Sequence, residues 1–237
     1  MIRWAALHSV RWLVRNTPVA HSAQVNDTSM PRWAPGPAMH TAYHIAAAEF
    51  ATVVRKGGNI PYLSHLLAVS SLVIENGGSE DQAAAALLHD VIEDRDIAPD
   101  TLVARLVEGG VSSESARFIV HIVEATSDGT QGQVRSPSTW RERKAAYHAS
   151  LAAKQSTDPS LLVSLADKVH NIESTLVQVR AGEKLDEIYA HFNSKPAEQR
   201  WNYESLYGRF ATHGKANPQL RRLVIRLEHA LREVFTR

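Results

Sequence analysis

Six side chains in this sequence have the types and spacing to hold a divalent cation and to activate water beside it. Four of them fall in "AALLHDVIED" (85–94), where His89, Asp90, Glu93 and Asp94 set one imidazole beside three carboxylates. At about 100° per residue, Glu93 lies about 40° from His89 around a helix, Asp90 about 100° and Asp94 about 140°. Ala84, Leu88, Val91 and Ile92 take the opposing arc. A solvated helix face more usually pairs Glu with Lys at i,i+4, and no Lys interrupts this cluster. By itself the segment serves a ligand set or a solvated face equally well, so further ligands are needed.

Two other places supply them. His65 lies in "IPYLSHLLAV" (60–69), one imidazole in an apolar helix; taken alone it reads as a satisfied structural histidine. Asp167 lies in "LLVSLADKVHNI" (161–172), after an apolar run that should bury its helix, and a buried carboxylate requires a cation. Lys168 is adjacent in sequence and is expected to project about 100° away. Together His65, His89, Asp90 and Asp167 form an N2O2 set with open positions for water and substrate oxygens. Such a set suits Mn²⁺, Fe²⁺ or Zn²⁺, and donor softness does not choose among them.

Helices must bring these residues together. Pro61, Pro99, Pro137, Pro159, Pro196 and Pro218 each stand ahead of a stretch with helical apolar spacing, where the missing N–H costs nothing. Asp158 and Asn217 precede two of these prolines as N-caps, and Ser79 with Gln82 in "NGGSEDQ" (76–82) makes a capping box. The pattern predicts ten helical segments: 41–55, 62–76, 80–95, 99–108, 112–126, 138–154, 159–180, 183–192, 196–212 and 218–235. "FIVHIV" (118–123) is β-branched but lacks alternation, so it is read as helix with His121 in the core. The expected fold is one all-α helical bundle of about ten helices.

Composition narrows the chemistry further. The 237 residues carry 26 Lys and Arg against 25 Asp and Glu, so no overall charge points to a nucleic-acid or membrane-surface partner. The absence of cysteine excludes disulfides, thiolate ligands and thiol nucleophiles, and fits a reducing cytoplasm. No apolar run reaches the roughly 20 residues of a membrane span. The first 26 residues hold Arg3, Arg11 and Arg15 and no acid, and "VNDTSMPRWAPGPA" (25–38) reads as a Pro-rich linker. Residues 1–38 are therefore expected to be a flexible leader, and 39–237 the folded domain.

The order H…HD…D, with HDxxED completed by Glu93 and Asp94, resembles the HD-domain phosphohydrolases. "RKGGNIPYLSHLLAV" (55–69), "VEATSD" (123–128), "WRERKAAY" (140–147) and "LADKVHNI" (165–172) narrow the likeness to the RelA/SpoT-like small alarmone hydrolases over roughly residues 45–180. That resemblance implies a stringent-response enzyme that removes the 3′ pyrophosphate from (p)ppGpp. It implies His65, His89, Asp90 and Asp167 as ligands of one Mn²⁺, and Glu93 and Asp94 as the pair that positions and deprotonates water. It further implies substrate contacts from Arg55, Lys56, Arg141, Arg143, Lys144 and Asn171, although the run 141–144 read alone is equally a solvated helix face. Tyr203 is a looser candidate for the base pocket. His8, His21, His148, His191, His213 and His229 have no paired ligands and read as structural or exposed.

Two departures bear on the substrate. Glu173 stands where such relatives often carry Arg, and apolar "FATVV" (50–54) replaces polar residues ahead of Arg55. Glu173 favours the alternatives of (p)ppApp or a nucleoside monophosphate; a lapsed nucleotide-binding regulator is the reading from another class. No synthetase-length segment follows residue 180, so the domain is expected to act alone.

Overall fold

The structure is a computed structural model and describes residues 34–127 and 136–236. Most of the expected leader, up to residue 33, and Asp128 of "VEATSD" lie outside the described residues. The described helices run α1 (Pro37–Glu49), α2 (Leu63–Glu75), α3 (Glu80–Leu88), α4 (Val91–Arg95), α5 (Pro99–Glu108), α6 (Ser113–Thr126), α7 (Pro137–Ala153), α8 (Ser160–Arg180), α9 (Leu185–Ile188), a 3₁₀ turn Tyr189–His191, α10 (Pro196–Ala216) and α11 (Pro218–Phe235). The all-α bundle is as expected from the sequence. None of these helices is long and apolar enough to cross a membrane.

Local chemistry sets most boundaries. Pro37, Pro99, Pro137, Pro196 and Pro218 open their helices in the first turn. Ser79 and Gln82 form the expected capping box on α3, and the Asp158 carboxylate accepts from the Ser160 N–H at 2.9 Å where α8 begins. The first helix starts two residues before the expected domain boundary. Gly36 cannot cap it, and Glu80 of α3 does so from a distance, its Oε1 accepting from the N–H groups of Gly36 at 2.7 Å and Met39 at 3.1 Å. A carboxylate at a helix N-terminus is worth about 0.5–2 kcal/mol.

At the centre, α3 presents Ala83, Ala84, Ala85, Ala86, Leu87 and Leu88, all fully buried, against α1, α2, α6 and α8. Four successive alanines let those helices approach closely on all sides. A single helix over 80–95 is not what forms: α3 ends at Leu88, His89 and Asp90 make a turn, and α4 restarts at Val91. Asp90 sits at φ −100°, ψ 0°, off the helical norm. The predicted 41–55 segment also ends early. Past α1, an isolated bridge pairs Val54 with Pro61 and closes a hairpin whose tip is Gly57 at φ +80°, so Arg55 and Lys56 stand on a turn rather than a helix.

The remaining histidines divide by packing. "FIVHIV" is helical as expected, but His121 is exposed and not core, because Ile119, Val120, Ile122 and Val123 fill the inward face of α6. His148 and His213 are buried and hydrogen-bonded. His148 Nε2 donates to Asn202 Oδ1 of α10 at 2.9 Å.

Burial lowers the His148 pKa, and the charges of Lys144, Arg209 and Lys168 act in the same direction against the Asn202 bond. A depressed folded pKa means that the unfolded chain takes up a proton the native state refuses, so stability falls as pH drops through the ordinary imidazole value of about 6.5. The urea midpoint is expected to fall between about pH 7.5 and about pH 5.5, and to fall less in His148→Gln.

Candidate metal centre

Three helices deliver four side chains to one point. His65 comes from the first turns of α2, the His89-Asp90 pair from the break between α3 and α4, and Asp167 from the middle of α8. The break matters chemically, since on a continuous helix His89 and Asp90 would diverge by about 100°. Here His89 Nε2 lies 2.9 Å from Asp90 Oδ2 and 3.6 Å from Asp167 Oδ1, and His65 Nε2 lies 3.3 Å from Asp167 Oδ1 and 3.7 Å from Asp90 Oδ2. His65, His89 and Asp167 are only 1%, 4% and 7% exposed.

This geometry fits a bound cation. Donors about 2.1 Å from one ion stand roughly 3.0–3.4 Å apart in octahedral or tetrahedral arrangements, close to the separations found. The donor atoms of His65, His89 and Asp167 all lie within 4.8 Å of one another. His89 Nδ1 is 2.8 Å from the Ala86 carbonyl, which can only accept, so Nδ1 carries the proton. The lone pair of His89 Nε2 then faces carboxylate oxygens without a linear hydrogen bond to any of them. Lone pairs facing lone pairs require a cation between them, either a proton or a metal ion.

The electrostatics carry the same message. Burial opposes charge on His89, but Asp90 and Asp167 outweigh it and raise the imidazole well above its ordinary pKa. Burial likewise opposes ionisation of the two carboxyls. His89 nevertheless holds Asp90 down at about 2, and Lys168 with His65 and His89 holds Asp167 well below the usual carboxylate range. His65 moves the other way, lowered chiefly by its burial. Burial, His65 and Arg55 lower His170 to about 4.

Several supporting residues escape a reading by spacing. Tyr62 donates to Asp90 Oδ2 at 2.6 Å, and burial with the Asp90 and Asp94 charges pushes its phenol far up, so it remains a donor. Its only signal in sequence is its place three residues before His65, on the same helical face. His170 Nδ1 lies 2.8 Å from His65 Nδ1. Lys168 does not project away from its neighbour: its flexible stem folds back and Nζ reaches Asp167 Oδ2 at 2.6 Å, because a buried anion draws the nearest cation.

The expected substrate residues separate into groups. Asn171 donates to Asp167 Oδ1 at 2.5 Å and accepts from Arg55 at 3.0 Å, which ties the hairpin to the centre. Lys56 Nζ stands 5.6 Å above the Phe192 ring. Arg141 stacks on Trp201 at 4.0 Å, exposed on α7, whereas Arg143 is buried and Lys144 half-buried on the same helix. Glu93 is half-buried and Asp94 exposed on α4. Tyr203 is buried, and its phenol feels the charges of Asp167, Lys168 and Arg55.

Glu173 does not bring a negative charge into this group. Two residues beyond Asn171 it points about 200° around α8 and meets Arg226 of α11 in a bidentate pair at 2.9 and 2.6 Å. The feature that favoured an adenine alarmone or a nucleoside monophosphate is thereby accounted for by helix docking.

Comparison with known proteins agrees with this architecture. A Synechocystis protein named "Probable guanosine-3′,5′-bis(diphosphate) 3′-pyrophosphohydrolase" is 24% identical over 216 residues, covering 79% of this chain and 27% of that protein. A Streptomyces coelicolor "GTP pyrophosphokinase" is 28% identical over 180 residues, covering 70% of this chain and 19% of that protein. The chain thus spans about a quarter or less of the length of these curated relatives. A solved structure described as a metazoan orthologue of SpoT that hydrolyses ppGpp superposes with a TM-score of 0.61 at 18% identity, covering 85% of this chain and 97% of that one. At that identity the likeness shows the fold. The model of the family described as HD domain matches residues 42–196, well over half the chain. With its bundle, its four convergent donors and this match, the chain belongs to the HD domain family.

Proposed function

We propose that this protein is a metal-dependent phosphohydrolase that removes the 3′ pyrophosphate from (p)ppGpp. One observation carries the reading: two imidazole nitrogens and two carboxylates converge at 2.9–3.7 Å, with the His89 lone pair directed at anionic oxygens. The Synechocystis relative and the metazoan structure, both described as acting on ppGpp, support the substrate. The ion is proposed to be Mn²⁺, for which the N2O2 donor set is suited, as it is for Fe²⁺ or Zn²⁺. When bound, it supplies Lewis acidity toward a phosphoryl oxygen and makes water a better nucleophile near neutral pH.

In this reading His65, His89, Asp90 and Asp167 hold the ion, while Tyr62 and Asn171 orient the two carboxylates by donating to them. Glu93 and Asp94 hold and deprotonate the attacking water. Water adds to the phosphorus esterified to the ribose 3′ oxygen, the P–O3′ bond breaks, the 3′ oxygen takes a proton, and pyrophosphate leaves with GDP or GTP as co-product. Arg55 and Lys56 on the hairpin, with Arg141, Arg143 and Lys144 on α7, supply positive charge to the phosphates, and Asn171 meets the base or ribose. The catalytic unit is proposed to be the helical domain that opens with α1 at Pro37, two residues ahead of the expected boundary at 39, acting in the cytoplasm.

The test is a substrate panel. Mn²⁺-loaded protein is incubated separately with ppGpp, ppApp and dGMP, and the products are separated by anion exchange. GDP and pyrophosphate from ppGpp are expected. Inorganic phosphate from dGMP, with ppGpp untouched, defeats the proposal. Within the same assay Lys56→Ala is expected to raise KM about 10-fold and leave kcat within about twofold, the effect of losing one charged contact to substrate.

A further inference from the structure

The far nitrogen of His65 is held by a partner that the chemistry above does not use. His65 Nδ1 and His170 Nδ1 are 2.8 Å apart, with the rings 4.9 Å between centroids and tilted by 39°. A contact this short between two ring nitrogens needs a proton on one and a lone pair on the other. The remaining nitrogen of His65, Nε2, faces Asp167 Oδ1 at 3.3 Å and Asp90 Oδ2 at 3.7 Å. To bind a cation among those oxygens, Nε2 must offer its lone pair, which leaves the His65 proton on Nδ1.

We infer that His170 is a positioning residue: its Nδ1 accepts the proton of His65 Nδ1 and fixes His65 in the one tautomer and ring orientation that leaves Nε2 open to the metal. The inference rests on the proposed metal-dependent reading and deepens it. His89 reaches the same state by donating Nδ1–H to the Ala86 carbonyl, a partner from its own helix. For His65 the contact at Nδ1 comes instead from α8, where His170 stands three residues beyond Asp167. One rigid helix therefore carries a metal-facing carboxylate and the group that aims an imidazole on α2, so their relation survives small movements between helices. His170 itself is tied down by its backbone, where Ser174 Oγ donates to the His170 carbonyl at 2.8 Å. A hydrogen-bonded partner behind a ligating imidazole typically accounts for 10–100-fold in metal affinity.

The test uses the full chain and Mn²⁺ alone, without nucleotide. Free Mn²⁺ is followed by electron paramagnetic resonance in wild type, His170→Phe, His170→Asn and His170→Gln, and thermal unfolding of each metal-free protein is recorded alongside. Asparagine places an acceptor oxygen where Nδ1 was, whereas glutamine places its amide farther out, so the two polar variants separate hydrogen bonding from packing even if the phenylalanine variant unfolds. The expected result is a Kd raised about 10–100-fold in His170→Phe and His170→Gln and restored to within about threefold of wild type in His170→Asn. In the Zn²⁺-loaded wild type, long-range proton–nitrogen correlation is expected to report His65 with its proton on Nδ1. Equal affinity in all four proteins, equal loss in Asn and Gln variants of wild-type stability, or a proton on Nε2 of loaded His65 overturns the inference. Wild type that binds no divalent ion overturns the metal-dependent reading itself, whereas a loaded wild type that spares ppGpp overturns only the substrate.

Discussion

Asp90→Ala is expected to abolish divalent-ion binding and phosphohydrolysis together. In the proposed reading Asp90 is a metal ligand: at the turn between α3 and α4 its Oδ2 comes within 2.9 Å of His89 Nε2. Without it three donors remain, and the site loses half of its anionic charge. The half-buried Tyr62 hydroxyl, which donates to Asp90 at 2.6 Å, loses that acceptor as well. We expect Mn²⁺ affinity to fall by at least about 100-fold and kcat/KM by about 10³-fold or more. Titration of Mn²⁺ monitored by calorimetry, with circular dichroism as a check on folding, measures the first, and pyrophosphate release measures the second. An ion bound at wild-type affinity by a folded variant removes Asp90 from the ligand set.

Glu93→Ala is expected to separate what Asp90→Ala joins. Glu93 lies half-buried on α4, the five-residue helix after the break, one helical turn beyond His89 in sequence. It takes no part in the four-donor convergence, so Mn²⁺ affinity is expected to stay within about threefold of wild type, well short of the 10–100-fold that ligand-shell changes cost. The rate, by contrast, is expected to fall about 10²–10⁴-fold, the range for loss of a general base. Single-turnover hydrolysis of ppGpp at saturating Mn²⁺ gives the comparison. Full activity in Glu93→Ala transfers water activation to Asp94, whose charge already reaches the Tyr62 phenol.

These two outcomes depend on different parts of the chain in a way that the sequence discloses only in part. His65, His89, Asp90 and Asp167 were visible as a set because imidazole and carboxylate in apolar helices are costly without a cation. Their helices were visible because prolines, Ser79 with Gln82, Asp158 and Asn217 mark helix starts by local chemistry that needs no distant partner. Local signals failed where distant partners decide. The periodicity of 80–95 runs unbroken through His89 and Asp90, although α3, packed against four other helices, ends at Leu88 and α4 begins at Val91. His121 looked like core from its neighbours in "FIVHIV", yet the inward arc of α6 was already filled.

What the amino-acid sequence by itself determined was the all-α class and the helix starts that prolines and N-caps mark, and it put forward four candidate donors, since each of these rests on residue types and on interactions within a few residues. What only the tertiary structure decided was direction: Lys168 folded back onto Asp167, Glu173 turned to Arg226, Tyr62 aimed at Asp90 and His170 set behind His65. Each of these depends on the exact approach of one helix to another, or on the field of a buried anion. Neither is encoded in spacing along the chain, because charges and hydrogen bonds act through space over a few ångströms while sequence separations here reach 105 residues.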